Sequence, residues 1–306
     1  MPLSPLDTVT IQTHVGTLYA YRPPNPSNKV IEQELRQVLA EYKDFAGRFI
    51  FNDNSHQCIH FNDEGMRFIE ATSDTPLDIK GIEELAQVQL TRFACGFMVV
   101  GITTHHVVSD GLALSHFLVA WGQTMRDGLP VQPLPLHDRS IFIPRNPPLF
   151  QFDHSEIEYT VNERPSTQRK ITSSRNLEGE VTTKVRIAVN GRFRMRNPDV
   201  PMSYSGNVVL WAWPESKVRD LLNKPMGHAA KLVHDAVARV DDNYFRSFMD
   251  FSGSKGKNGR SEERPPHLFV PSYVQLEGLL IFPPSFPGTG DIDAFISLFE
   301  KNVRSD

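Results

Sequence analysis

The sequence predicts an α/β protein with two domains, and three observations support this prediction. The chain has 306 residues, which is more than one small core needs and suits two domains of ordinary size. Apolar residues make up 40% of the chain, enough to fill such cores. Runs rich in β-branched and aromatic residues alternate with stretches whose apolar residues recur every three or four positions, so both strands and helices are expected.

The first part of the chain is predicted to contain short strands and an amphipathic helix. Residues 8–21 are rich in Thr, Val, Ile and Tyr, which is typical of a strand. Asn28 is predicted to cap a helix, because apolar residues from Val30 to Tyr42 fall on one helical face. Further short strands are predicted at residues 49–51, 59–61, 66–69 and 87–90.

The most informative segment is the run HHVVSDG at residues 105–111. Before it, residues 97–103 form an apolar stretch that alternates little and is therefore predicted to be a central strand. After it, residues 112–125 carry an apolar stripe at helical spacing. The run thus lies where a buried strand turns into a helix, a position from which a rigid scaffold often presents a functional side chain.

The second part of the chain divides into a linker and another β-rich block. Proline-rich residues 130–148 are expected to cross the surface, and polar residues 161–184 are interpreted as a linker. The predicted domains are therefore residues 1–160, which carry the His-His run, and residues 185–306. Strands are expected at 185–189, 208–211 and 279–282, helices over 217–240 with breaks near Pro225 and Gly227, and a flexible insert at 252–267, which has no aliphatic residue.

Composition excludes several classes of function. The net charge is −4 and the basic residues are scattered, so no nucleic-acid partner is predicted. Cys58 and Cys95 lie far apart without CxxC spacing, and the histidines show no ligand spacing, so no metal site is predicted. There is no secretory signal and no apolar run of about 20 residues, so we expect a cytoplasmic protein without a membrane partner. A Gly-rich nucleotide fingerprint and a GxSxG elbow are also missing from the sequence.

Within the His-His run, His106 is the candidate catalytic residue. A neutral imidazole suits proton removal from an attacking acceptor, since its ordinary pKa of about 6.5 lies near working pH. Gly111 is expected to permit a tight turn between strand and helix, and Asp110 to anchor that turn. Asp110 can equally be interpreted as a helix N-cap. His105 is expected to be structural, because one imidazole suffices.

Several short motifs add a family resemblance along the whole chain. They are LSPLD at residues 3–7, AGR at 46–48, NGRFR at 190–194 and YSGN at 204–207. With the HXXXD motif at 106–110, the sequence resembles the BAHD family of plant acyl-CoA-dependent acyltransferases. The resemblance implies two chloramphenicol-acetyltransferase-like domains, each a mixed β-sheet with flanking helices, and an active-site channel at their interface.

The same resemblance implies the roles of the site residues. His106 would be the general base, and Asp110 would be structural and paired with an arginine, for which Arg192 and Arg194 are candidates. Acyl-CoA would be a co-substrate rather than a permanently bound cofactor, and the enzyme a monomer of plant specialised metabolism. Residues 138–159 look like the members that move hydroxycinnamoyl or benzoyl groups to amines such as agmatine or tryptamine, so a small-molecule donor and an amine or alcohol acceptor are expected.

Two departures from the family pattern leave an alternative open. The second family signature, DFGWG, is missing from residues 252–267, and no apolar helix follows the linker. Both gaps look like internal deletions. The alternative is therefore a truncated, weakly active or inactive family member with at most a binding or regulatory role.

Overall fold

The structure is a computed structural model of the chain. It describes residues 1–72, 85–154 and 179–258, and a strand pair at 280–281 and 295–296. The chain forms two compact units, each assembled from separate stretches. Unit 1 comprises Met1–His154, Asn190–Leu210 and Asp242–Ser272, and unit 2 comprises Ser155–Val189, Trp211–Asp241 and Tyr273–Asp306. The predicted boundaries at residues 160 and 184 stay a prediction, and most of the predicted linker lies outside the described residues.

Helices and strands alternate as the sequence predicts. The helices are α1 (Pro5–Thr8), α2 (Asn28–Glu41), α3 (Lys43–Ala46), α4 (Gly111–Asp127), α5 (Val218–Asn223), α6 (Met226–Arg239) and α7 (Asp242–Asn258). The strands are β1 (His14–Tyr21), β2 (Arg48–Phe51), β3 (Gln57–His60), β4 (Arg67–Thr72), β5 (Ala86–Arg92), β6 (Met98–His105), β7 (Thr182–Lys184), β8 (Ile187–Asn190), β9 (Val209–Ala212), β10 (Glu215–Lys217), β11 (Leu280–Ile281) and β12 (Phe295–Ile296). No helix in these described stretches combines the length and apolar character that a bilayer crossing requires.

Unit 1 is organised around a mixed four-stranded sheet with the order β1-β6-β5-β4. β4 and β5 run parallel, whereas β6 pairs antiparallel with both β1 and β5. The strand before the His-His run is therefore flanked on both sides, as predicted. Its residues nevertheless alternate between buried and half-buried from Met98 onward, so its apolar character reflects one strongly buried face rather than two.

Helices α2 and α4 supply the other half of the core of unit 1. Ile31 and Leu35 of α2 and Phe117 and Trp121 of α4 belong to one buried apolar cluster with the strands β5 and β6. The Trp121 indole Nε1 donates to the Ile31 carbonyl at 3.3 Å, which ties the two helices together. Burial of each large apolar side chain stabilises the fold by about 1.5–3 kcal/mol. This core holds the segment between β6 and α4 on a rigid base.

Several predictions for unit 1 differ from the structure where a local cap or a tertiary contact decides. The predicted strand at residues 8–21 begins only at His14, since Ser4 and Asp7 form a capping box that starts α1. Ser27, not Asn28, caps α2 by accepting from the Val30 N–H. Residues 130–148 do not simply cross the surface: Arg139 and Phe142 are buried.

The predicted flexible insert at 252–267 is wrong for its first residues, because α7 continues to Asn258. Two contacts with the proline-rich segment explain the extension. The Asp250 carboxylate accepts from the backbone N–H groups of Arg145 and Leu149 and from the Arg145 guanidinium, at 2.7 to 2.8 Å. Gly253 lies so close to Pro144 that an added Cβ would meet its ring at 2.4 Å. Residues 259–267 lie outside the described residues.

Unit 2 is described in smaller pieces. β7 pairs antiparallel with β10, and α5 and α6 follow, separated at Lys224 and Pro225 as the proline predicts. Trp211 is half-buried rather than a fully buried core residue. The Arg186 guanidinium lies 3.6 Å from its ring centroid, a cation–π contact.

Candidate active site

His106 lies in the turn between the end of β6 and the start of α4. Its backbone N–H donates to the Thr13 carbonyl at 2.9 Å, which pins the turn to the chain just before β1. The residue is half-buried. Its Nδ1 atom is buried and has no hydrogen-bond partner within the described part of the chain. The turn that carries the imidazole is therefore held through its backbone at Thr13.

Asp110 lies at the end of the same turn, and both of its carboxylate oxygens accept hydrogen bonds. Its Oδ1 accepts from the Ala113 N–H at 2.9 Å, so it is the N-cap of α4. Its Oδ2 accepts from the Arg192 Nη1 at 2.7 Å and from the Val208 N–H at 2.9 Å. Asp110 is thus both the N-cap of α4 and the partner of an arginine, so the two interpretations are compatible. Because both oxygens are engaged in this way, the carboxylate acts as a structural anchor.

Arg192 is the arginine that the structure places against Asp110, out of the two candidates. Its Nη2 also donates to the carbonyls of Tyr204 and Gly206, at 2.9 and 3.0 Å. The side chains of Arg192 and Asp110 are 0% and 3% exposed, so the ion pair is buried. Removing one partner of such a pair commonly costs about 3–5 kcal/mol, because the other charge stays buried.

The expected role of Gly111 in a tight turn is not supported by its conformation. Gly111 is the first residue of α4, its φ lies outside the left-handed region, and an added Cβ would meet nothing within 4 Å. The Asp110 cap, rather than glycine, starts the helix there. The glycine that the geometry requires is Gly206, with a φ of 144° and an added Cβ only 2.8 Å from the Tyr204 ring.

His105 makes ring contacts with two residues of the same unit. Its ring packs edge-on against His14 and Phe49, with centroids 4.9 Å apart in each case. Its Nδ1 accepts from the Val107 N–H at 3.3 Å. These contacts agree with the expected structural role.

The structure also shows buried polar residues that the sequence interpretation missed. Asp44 accepts from the Ser205 hydroxyl at 2.6 Å and lies 3.4 Å from the His137 Nδ1. Burial by itself raises the pKa of the Asp44 carboxyl, yet His137, Arg139 and Ser205 together hold it below its ordinary value. Burial lowers the pKa of His137, but Asp44 outweighs this and the pKa of His137 is raised. No sequence pattern joins these residues.

Asp7 and Asn207 form a second buried contact that the sequence interpretation missed. The Asp7 Oδ1 accepts from the Asn207 N–H and from its Nδ2, at 3.1 and 3.0 Å. Both residues lie in motifs quoted for the family resemblance, LSPLD and YSGN. Their place in these two motifs was the one indication in the sequence that they matter, but it did not indicate that the two motifs are in contact.

Metal ligation finds no support in the described stretches, where no three His, Cys, Asp or Glu residues are grouped to hold an ion. Cys58 is buried and Cys95 exposed, and both are free thiols.

A mixed α/β fold of this kind is shared with acyl-CoA-dependent acyltransferases. The chain belongs to the Transferase family, the BAHD acyltransferases. The family model matches residues 1–83, 77–175 and 168–273. Members of this family use acyl-CoA as a co-substrate. This membership confirms the resemblance inferred from the sequence motifs.

Curated relatives match the chain over nearly its whole length. Agmatine hydroxycinnamoyltransferase 1 of Oryza sativa subsp. japonica is 35% identical over 413 residues, covering 99% of this chain and 91% of the relative. Agmatine coumaroyltransferase-1 of Hordeum vulgare is 34% identical over 407 residues, covering 100% of this chain and 92% of the relative. Because 306 residues cannot fill an alignment of 413 positions, the relatives carry internal segments that this chain lacks.

Solved structures show the same fold. Vinorine synthase matches with a TM-score of 0.58 at 20% identity, covering 84% of this chain and 75% of that chain. The TRI101 protein of F. sporotrichioides, solved with coenzyme A and T-2, matches with a TM-score of 0.61 at 13% identity, covering 82% and 75%. The α/β fold class is confirmed. The alternative of a truncated, inactive chain is not favoured by these comparisons.

Proposed function

We propose that this acyltransferase moves a hydroxycinnamoyl or benzoyl group from its CoA thioester to an amine, with His106 as the general base. The observation that carries the proposal is the backbone of His106, pinned to Thr13 on one side and followed by the arginine-anchored Asp110 on the other. A general base must hold its ring in one place while the acceptor approaches. The anchored turn provides that rigidity.

The proposed reaction is a single displacement at the thioester carbonyl. The acceptor nitrogen attacks the carbonyl carbon while His106 takes its proton. The new C–N bond forms, the C–S bond breaks, and the CoA thiolate leaves with the proton that His106 returns. Acyl-CoA and amine thus become amide and CoA, and the enzyme is unchanged. No covalent acyl-enzyme is needed, because the motif presents no activated Ser or Cys.

The proposed acceptor class rests on the relatives. Relatives 32–35% identical are named for agmatine, putrescine and tryptamine, and others, 29% identical, for tryptamine with benzoyl groups. A relative named for shikimate, which offers hydroxyl groups, is 27% identical over 81% of this chain. An amine is therefore the proposed acceptor, and an alcohol is the competing one.

The rest of the proposal concerns organisation and location. We propose that the HXXXD motif at 106–110 works as in the family, with Asp110 and Arg192 as structural residues of the site and Gly111 as the first residue of the helix that Asp110 caps. We further propose a monomer in the cytoplasm, and domains divided near residues 160 and 184. Sparse, free cysteines and an ordinary charge balance support this location.

The first experiment replaces His106 by Ala in the full chain and follows product formation by mass spectrometry. Coumaroyl-CoA and benzoyl-CoA are offered with agmatine, putrescine, tryptamine and shikimate. We expect amide products from the unaltered chain and a loss of at least about 100-fold in turnover for His106→Ala, since general-base catalysis typically contributes that much.

The matched control is His56→Ala, which removes an exposed imidazole of the same unit. It should retain full turnover. If His106→Ala kept the turnover of the control, the assignment of the general base would be wrong. If shikimate were acylated and the amines were not, the proposed acceptor class would be wrong.

A further inference from the structure

We propose that Asn207 is a positioning residue that holds His106, with Asp7 orienting it. This inference rests on the proposed function, because it concerns the same imidazole. The inference is based on the segment of residues 204–208, which contacts both ends of the turn that contains His106. At one end the Val208 N–H donates to Asp110. At the other end the Asn207 side chain contacts the backbone of His106 itself.

The Asn207 amide is surrounded by acceptors. Its Nδ2 lies 3.0 Å from the carbonyl oxygen of His106, 3.0 Å from that of Val107 and 3.0 Å from the Asp7 Oδ1. All three neighbours accept and none can donate, so an N–H group must occupy this position. The side chain is fully buried, so water does not substitute for it in the folded protein.

Asp7 determines where that amide points. Its Oδ1 accepts from both the N–H and the Nδ2 of Asn207, which fixes the backbone and the side chain of the same residue. Its Oδ2 is held in turn by the Ser4 hydroxyl at 2.8 Å and by the Arg139 Nε at 3.2 Å. A connected path of hydrogen bonds therefore runs from Ser4 through Asp7 and Asn207 to the peptide that carries the imidazole.

The physical consequence is a restriction on the His106 backbone. The Thr13 carbonyl holds the N–H of His106, and Asn207 holds its C=O. With both peptide groups held, the direction of the Cα–Cβ bond is set, and with it the position from which the imidazole reaches an acceptor. Without Asn207, the C=O of His106 and that of Val107 both lose a buried donor, and the turn gains freedom to rotate.

The test compares Asn207→Ala with Ser205→Ala, a change two residues away that removes an equally buried hydrogen bond to Asp44. Both variants should lower Tm by a comparable few degrees. Asn207→Ala should also lower kcat about 10- to 100-fold with KM nearly unchanged, as expected for misplacement of a catalytic group. Ser205→Ala should leave kcat nearly unchanged. Equal losses of kcat in the two variants would overturn the inference.

A second readout separates this inference from the proposed function. The NMR resonance of isotope-labelled His106, assigned by its disappearance in His106→Ala, should shift or broaden in Asn207→Ala and stay in place in Ser205→Ala. That result stands even if the chain acylates none of the offered acceptors. An unmoved resonance in Asn207→Ala would refute the positioning role while leaving the general-base assignment intact.

If Asn207→Ala does not fold, Ser4→Ala takes its place. It removes one donor from Asp7 and leaves Asn207 itself unchanged. A loss of a few-fold in kcat together with a shifted His106 resonance would support the path. A lowered Tm with kcat and resonance both unchanged would contradict it.

Discussion

Two buried carboxylates of unit 1, Asp110 and Asp44, are neutralised in different ways. Asp110 takes its hydrogen bonds from Arg192 and from two backbone N–H groups, none of which loses its proton in the ordinary pH range. Asp44 depends in part on His137, which titrates. The carboxylate that anchors the proposed base therefore has permanent partners, whereas the more distant carboxylate has a partner that pH can remove.

This difference matters for pH: protonation of His137 affects the stability of the fold, whereas the partners of Asp110 keep their protons. If the partner of Asp110 also titrated, turnover would depend on two coupled protonations, one at that partner and one at the proposed base. Arg192 and the two backbone N–H groups keep their protons, so no titrating partner holds Asp110.

The largest expected effect comes from Arg192→Ala. We expect the free energy of unfolding to fall by about 3–5 kcal/mol, because Asp110 is left buried without its charge partner. That is a large share of the roughly 5–15 kcal/mol that holds a typical domain together. Urea unfolding near pH 6 and near pH 9 should show the same loss at both values, since neither partner is a histidine.

The control for this variant is Arg126→Ala, which removes an arginine from a surface pair with Asp127. It should leave Tm unchanged. A loss for Arg192→Ala as small as that of the control would show that the buried pair does not anchor the turn.

A smaller effect is expected for His137→Gln, and it should depend on pH. The pKa of His137 is raised in the folded chain, so the stability it contributes is complete below its unfolded pKa of about 6.5 and is lost as pH rises through the folded pKa. The Asp44 contribution has the opposite sense: its pKa is lowered, so its stability is lost only as pH falls through that value.

We therefore expect the unfolding free energies of the unaltered chain and of His137→Gln to differ more near pH 6 than near pH 9, by about 1.5 kcal/mol, the lower end of the range for a hydrogen bond to a charged group. Urea unfolding at the two pH values measures the difference. A gap that grows with rising pH would reverse the sign and show that His137 is neutral in the folded chain.

The smallest effect concerns the helix start that Asp110 caps. Gly111→Ala should change the unfolding free energy by no more than about 1 kcal/mol, with a gain as the expected direction, because Ala is the better helix former. Gly206→Ala is the matched comparison and should cost about 1–3 kcal/mol, since its φ of 144° and the nearby Tyr204 ring exclude a Cβ. Thermal unfolding of the two variants measures both. If Gly111→Ala were the more destabilising variant, a glycine would be required at the start of α4, contrary to the open space beside Gly111.

The local parts of the fold were predictable from the sequence because they depend on neighbours along the chain. Apolar spacing of three and four residues located α2 and α4, and β-branched runs located β2 to β6 within a few residues. The errors fall where a cap or a distant contact decides: α1, capped by Ser4 and Asp7, ends at Thr8, so the expected first strand begins later, at His14, and contacts of Asp250 and Gly253 with residues 144–149 extend α7 into the expected flexible insert.

The sequence by itself determined the family of the protein and located the candidate site. A strand, His106, Asp110 and a helix follow one another within a few residues, and motifs along the chain place the protein in its acyltransferase family. Only the tertiary structure decided how the site is held. Arg192 meets Asp110 across 82 residues, and Asn207 meets Asp7 across 200. Such contacts leave no periodic trace in a single sequence, because they depend on how distant segments pack and on which buried polar groups then need partners.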